Sequence, residues 1–127
     1  MYLQKLRYGN AKKSEYNGYY YQSAFEAGYA KELDLRMKAG DILSWERQVK
    51  IPLIFNGFLI ANYYIDFKIY HKDKTIEFVE LKGYPVTEVW KMKWRIMEAL
   101  YSGTLDVKLT LIKMANNFNL RKLKKVK

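Results

Sequence analysis

The sequence predicts an α/β fold, a mixed central sheet flanked by helices in the order α-β-β-β-α-β. Three observations carry this. Apolar residues recur at helical spacing in two segments, and four other segments are rich in aromatic and β-branched residues. The second helical segment falls between the third and fourth strands. A crossover helix joining two strands of one sheet makes them parallel, whereas strands joined by short turns are antiparallel.

Residues 1–22, ending in "YNGYYYQ", show no clear period and read as a loosely packed basic and aromatic arm. "SAFEAGYAKELDLRMKAG" reads as a helix from Ser23 to Lys38, with Phe25, Tyr29, Leu33 and Met37 as its buried stripe and Gly40 closing it. Arg47 to Phe55 reads as a strand, in which Pro52 marks an edge or a bulge. Asn56-Gly57 is a two-residue hairpin signal leading into the long strand "FLIANYYIDFKIY". "HKDKT" turns the chain into "IEFVELKG". A second helix is expected over Val86–Tyr101 and a last strand over Leu105–Lys113, followed by a basic tail, 114–127. No internal repeat and no domain boundary shows, so 23–113 reads as one domain.

The chain has 127 residues, half of them hydrophobic, with twelve Tyr, six Phe and three Trp. That composition belongs to a folded protein with a single core. No apolar run approaches the roughly 20 residues of a membrane span, and "MYLQKLRYGNAKK" lacks the apolar segment of a secretory signal. There is no cysteine, hence no disulfide framework and no zinc–thiolate site, which fits a cytoplasmic protein. The net charge of +10 lies at the ends. Lys5, Arg7, Lys12 and Lys13 precede the body without an acid among them, and Arg121, Lys122, Lys124, Lys125 and Lys127 follow it. Residues 14–120 hold 14 basic and 13 acidic residues, so the body is close to neutral. Cationic ends on a neutral body point to a polyanion, nucleic acid first, although a solubilising tail has the same composition.

Three acids stand where apolar residues are expected. Glu26 lies in line with Ala30, Leu33 and Met37 on the first helix, Asp66 interrupts "YYIDFKI", and Glu80 interrupts the third strand, with Lys82 one alternation further on. Each has a plainer explanation. Ser23 and Glu26 form an S-x-x-E capping box, Asp66 is an edge-strand charge, and Glu80 and Lys82 are a surface ion pair worth at most about 1 kcal/mol. None of these explains why Asp66 and Glu80 fall on adjacent strands of one hairpin. Two carboxylates in one site repel unless a cation sits between them. Mg²⁺ suits such a pair, since it takes one or two protein carboxylates and completes its shell with water and substrate phosphate.

A glutamate on the first helix, an aspartate on the second strand and E-x-K on the third resembles the PD-(D/E)XK nuclease superfamily. The match is Glu26, Asp66 and "ELK" (Glu80, Lys82), over residues 23–113, with Ile65 where the superfamily's proline stands. "YQSAFEAGYAKELDLRMKAGDI", "WERQVKIPL", "NYYIDF" and "VELKG" also resemble a family of small phage proteins of uncharacterised function within that superfamily. The resemblance implies a restriction-endonuclease-like core and a Mg²⁺-dependent endonuclease acting on DNA, with Mn²⁺ as a possible substitute. Asp66, Glu80 and the backbone carbonyl of Leu81 would hold the metal, Glu26 would complete the shell, and Lys82 would position the attacking water, leaving 5′-phosphate and 3′-hydroxyl ends. Small basic members with a helix-borne glutamate are similar to Holliday junction resolvases, which work as homodimers on branched DNA. For a phage-encoded chain the place of action would be the cytoplasm of the host bacterium.

Around this core, Lys93 falls in line with Val89, Ile96 and Leu100 and would face inward towards the site, although a lysine snorkelling beside Trp94 has the same spacing. Lys91 and Arg95 would meet phosphates. Tyr19–Tyr21 would stack on exposed bases, make a dimer contact or pack locally, and His71, in a turn, is given no chemistry. Two other readings stay open. One is a nuclease for flaps, nicks or linear duplex, and the other is a DNA-binding protein without catalysis.

Overall fold

A computed structural model describes residues 14–16, 19–21, 24–83, 86–113 and 125–126. The chain divides into two compact units, Met1–Ile42 and Leu43–Lys127, a division that no composition shift in the sequence signals.

In the first unit, β1 (Ser14–Tyr16) and β2 (Tyr19–Tyr21) pair antiparallel, with Tyr16 opposite Tyr19. The arm expected to be loosely packed therefore contains a short antiparallel strand pair. Its strands are too short for a period-2 pattern to be read from the tyrosine run. The helix α1 (Ala24–Lys38) follows, and the Tyr16 hydroxyl donates to Asp34 Oδ2 at 2.6 Å. The buried residues of α1 are Ala27, Ala30 and Leu33. The expected stripe is corrected here: Leu33 holds, Phe25 and Tyr29 are half-buried, and Met37 is exposed. Two small alanines with Leu33 make the buried face. Gly40 closes the helix as expected, at φ 82°, with Gly40 and Asp41 N–H groups returning to the carbonyls of Met37 and Arg36.

In the second unit four strands, β3 (Ser44–Phe55), β4 (Phe58–Tyr70), β5 (Ile76–Lys82) and β6 (Val107–Lys113), form one sheet in the order β3-β4-β5-β6. The first two pairings are antiparallel and β5–β6 is parallel, with α2 (Glu88–Tyr101) as the crossover. This is the mixed sheet predicted. Pro52 lies in edge strand β3, next to a register shift between Leu53 and Ile54. Asn56 (φ 51°) and Gly57 (φ 80°) both take positive φ, as a tight I′-type turn demands. Central strand β5 is buried along Glu77–Leu81, on both faces.

Helix α2 starts at Thr87, whose Oγ1 accepts the Trp90 N–H at 3.1 Å. It buries Trp90, Trp94 and Met97 against Ile51, Leu53, Tyr63, Ile65 and Phe78. Trp90 and Trp94 stack at 5.9 Å, and Trp94 meets Tyr63 edge-on. The expected inward line of Val89, Lys93, Ile96 and Leu100 is rotated by one residue. Val89 is exposed, and the inward line is Trp90, Trp94, Met97 and Tyr101. Both lines have helical spacing, and the one carrying the larger aromatic surface is buried.

Candidate metal centre

The site is built where two ladders lapse together. The β3–β4 register passes from Arg47–Phe67 to Val49–Ile65, and the β4–β5 register stops at Phe67–Val79. Asp66 falls outside both, opposite Gln48, which takes φ 51° in mid-strand. A positive φ at a glutamine is strained. The Asp66 side chain takes over from the missing backbone pairing: Oδ2 accepts the Leu81 N–H at 2.8 Å, and Oδ1 lies 3.4 Å from Gln48 Nε2. One further step of the β4–β5 register sets Asp66 against Glu80.

Asp66 and Glu80 are both buried, 9% and 6% exposed. Burial holds the Asp66 carboxyl above the usual range, against the Leu81 N–H, the Lys82 charge and the Gln48 amide, which pull it down. Burial and then the charge of Asp66 push Glu80 up, opposed by Tyr63, Lys82 and Trp90. The Asp66 charge thus makes ionisation of Glu80 more costly. Trp90 Nε1 donates to Glu80 Oε2 at 3.2 Å and to the Tyr63 hydroxyl at 2.9 Å. The Tyr63 phenol, buried beside Glu80, is pushed well above its ordinary range by desolvation and by that carboxylate. Glu80 Oε1 is buried with no hydrogen-bond partner. The plainer explanations for the strand residues therefore fail: neither carboxylate is on the surface, and the Lys82 ammonium lies 4.9 Å over the Trp90 ring.

Two adjacent, desolvated carboxylates, one with an unpartnered buried oxygen, are a donor set that a hard divalent cation fits. Among the described residues no group of three or more His, Cys, Asp or Glu side chains gathers to hold a metal ion, so the centre stands on the pair. Glu26 lies in the first turn of α1, in the other unit, and its capping partner Ser23 is outside the described residues. Leu81 is at the site, tied through its N–H to Asp66.

The remaining candidates lie elsewhere. Lys93 reaches the Asn62 carbonyl at 3.3 Å, so the lysine expected to face the carboxylates bonds to backbone instead. Lys91 pairs with Glu88 at 3.0 Å, and Arg95 is exposed. Lys125 is exposed, whereas Lys5, Arg7, Lys12, Lys13, Arg121, Lys122, Lys124 and Lys127 lie outside the described residues. His71 is not idle: its Nε2 lies 2.8 Å from Glu77 Oε1, and Thr110 Oγ1 donates to Glu77 Oε2 at 2.5 Å. Burial works to raise the Glu77 carboxyl, but these bonds and the charges of Lys108 and His71 hold it below its usual range. This cluster secures a buried acid and leaves it no open oxygen.

Three residues at the centre were not anticipated, namely Gln48, Tyr63 and Trp90. Only Trp90 had a legible signal, since T-x-x-W places its N–H on the capping threonine and its ring on the 90/94/97/101 line.

No helix among the described residues is long and apolar enough to cross a membrane. No curated protein and no solved structure matches the chain. The model of a family described as "Protein of unknown function (DUF1064)" matches residues 5–119, and the chain belongs to that family.

Proposed function

We propose that this protein is a Mg²⁺-dependent, structure-selective endodeoxyribonuclease of the PD-(D/E)XK type, cutting branched DNA as a Holliday junction resolvase does. The observation that carries the reading is the buried Asp66–Glu80 pair with Glu80 Oε1 open and a lysine beside it. Asp66 and Glu80, with the Leu81 carbonyl, would hold the ion, which when bound supplies charge neutralisation at the phosphate and a more acidic water. Lys82 orients that water and meets the charge that develops as its oxygen bonds to phosphorus. The bond from phosphorus to the 3′ oxygen breaks, and that oxygen takes a proton, leaving 5′-phosphate and 3′-hydroxyl ends. The net charge of +10 supports a DNA partner.

Homodimerisation is part of the proposal and has a surface to support it. Residues 51–65 contain no charged side chain, and Ile54, Phe55, Phe58, Leu59, Ile60 and Tyr64 are exposed around the Asn56-Gly57 turn. β4 pairs with β5 only from Phe67 onward, and among the described residues no strand pairs with its distal half on that side. Two strongly cationic copies meet with least repulsion through an uncharged patch, and such an edge is otherwise an aggregation hazard.

The test is a panel of four-way junction, flap, nicked duplex and linear duplex, each with Mg²⁺ and with EDTA, with sedimentation run in parallel. The parent is expected to cut the junction best, only with metal, and to sediment as two chains. Asp66→Asn, Glu80→Gln and Lys82→Ala are each expected to lose at least ~10²-fold in rate. Cutting at the parental rate by all three would remove the site from the chemistry. Binding of DNA without cutting in any arm would favour the non-catalytic reading.

A further inference from the structure

A lysine two residues along a strand from a buried glutamate shares its face, and in a low-dielectric setting the two ions attract strongly. Left to itself, Lys82 would collapse onto the Glu80 carboxylate. Its ammonium instead lies 4.9 Å over the Trp90 ring. That ring is held at four points. Its backbone N–H is on Thr87 Oγ1 at 3.1 Å, and its indole N–H is shared between the Tyr63 hydroxyl at 2.9 Å and Glu80 Oε2 at 3.2 Å. Its face stacks on Trp94, at 5.9 Å and 15°. It is buried, so it cannot swing away without abandoning those bonds.

We propose that Trp90 is a positioning residue that sorts the charges of the site: its indole N–H occupies one oxygen of Glu80, and its ring face holds the Lys82 ammonium away from the other. Oε1 stays open for a cation, and the lysine stays open for water or phosphate. The catalytic consequence rests on the nuclease reading, whereas the placement of Lys82 does not. An aromatic face is suited to the task because it attracts an ammonium without accepting its proton or neutralising its charge. A carboxylate in the same place would pair with that charge and neutralise it. Among the buried residues of α2, Trp90 is the one whose ring lies under the Lys82 ammonium, while Trp94 and Met97 pack in the core behind it.

The test separates face from N–H. Trp90→Phe keeps an aromatic face and loses the two indole hydrogen bonds, and Trp90→Leu loses the face as well. The first readout is independent of activity. Lysines are reductively methylated with ¹³C, and the Lys82 signal is assigned by its disappearance in Lys82→Arg. A ring-current shift upfield of the bulk lysine signals is expected in the parent and in Trp90→Phe, and its loss is expected in Trp90→Leu. A Lys82 signal at the bulk position in the folded parent overturns the proposal, whatever the variants do. The second readout is single-turnover cleavage of a four-way junction with Mg²⁺. Trp90→Leu is expected to fall to the rate of Lys82→Ala, and the double variant to fall no further, because both act through the same ammonium. Losses that multiply in the double variant also overturn it. If the parent cuts no substrate, the nuclease reading fails, and the ¹³C shift alone decides whether the indole holds the lysine.

Discussion

The metal-free Glu80→Gln protein melts at a higher temperature than the parent at pH 8, and the gap closes towards pH 5. Burial and the neighbouring Asp66 push the Glu80 carboxyl from 4.5 up to about 8 in the folded chain. Below about pH 4.5 the group is protonated in both states and has no influence. Between there and pH 8 the unfolded chain has released its proton while the folded chain keeps it. Folded protein then binds more protons than unfolded, so stability falls as pH rises across that window. At 1.36 kcal/mol per pH unit the loss is on the order of a few kcal/mol, or about 10 °C in Tm for a chain of this size. Glutamine mimics the protonated acid and flattens the dependence. Comparing variant with parent at each pH removes the influence of net charge, which also changes with pH. Mg²⁺ is expected to restore the parent more at pH 8 than at pH 5, since only the ionised pair binds it well. The same substitution is expected to abolish cleavage, an instance of stability and activity pulling against each other. Differential scanning calorimetry of both proteins from pH 5 to 9, with and without Mg²⁺, checks this. A parent whose Tm rises as steeply as the variant's across that range would refute the burial of a destabilising acid.

Trp94→Ala is expected to cost the most stability of any single change on α2, about 3–5 kcal/mol, and to lower Tm by roughly 10–20 °C. Trp94 is 2% exposed, stacks on Trp90 and meets Tyr63 edge-on. Removing it opens a cavity behind both residues that bond Glu80, so the site loosens before the domain unfolds. Val89→Ala, on the exposed side of the same helix, is the control and is expected to stay within about 0.5 kcal/mol. The two together test the rotation of the helix face by one residue. Equal losses would mean the inward line is not the one built on the tryptophans. Urea unfolding of the two variants beside the parent measures it.

The carboxylates were legible because a charge on a strand breaks a pattern of period two, and such breaks are visible without any structure. The sheet order was legible for a similar reason: Asn56-Gly57 and the "HKDKT" turn admit only antiparallel neighbours, and a helix between strands admits a parallel one. What supports the carboxylates was not legible. Gln48 enters through a local lapse of pairing, and Tyr63 looks like any strand aromatic. Trp90 lies on one of two helical lines that hydrophobicity alone does not separate. In α1 the bulky residues suggested one face, while Ala27 and Ala30 mark another, because close approach favours small side chains. Glu77 escaped notice since a partner for it, His71, lay in a turn and seemed merely solvated.

The parallel pairing of β5 with β6 bears on how the site comes into being. The β4–β5 hairpin closes across a short turn, so it is expected to form early in folding and to bring Asp66 towards Glu80 while both are still hydrated. β6 can join only after α2 has crossed the sheet, a contact of much longer range and a slower event. Arrival of Trp90 is then expected to strip water from the two carboxylates, so this step of assembly would work against their mutual repulsion. A cation captured at the hairpin stage would relieve that repulsion, and Mg²⁺ is expected to speed refolding as well as hold the finished protein. In the metal-free protein the amides of α2 should exchange with solvent before those of the β4–β5 ladder, through openings in which the helix lifts and the strands stay paired.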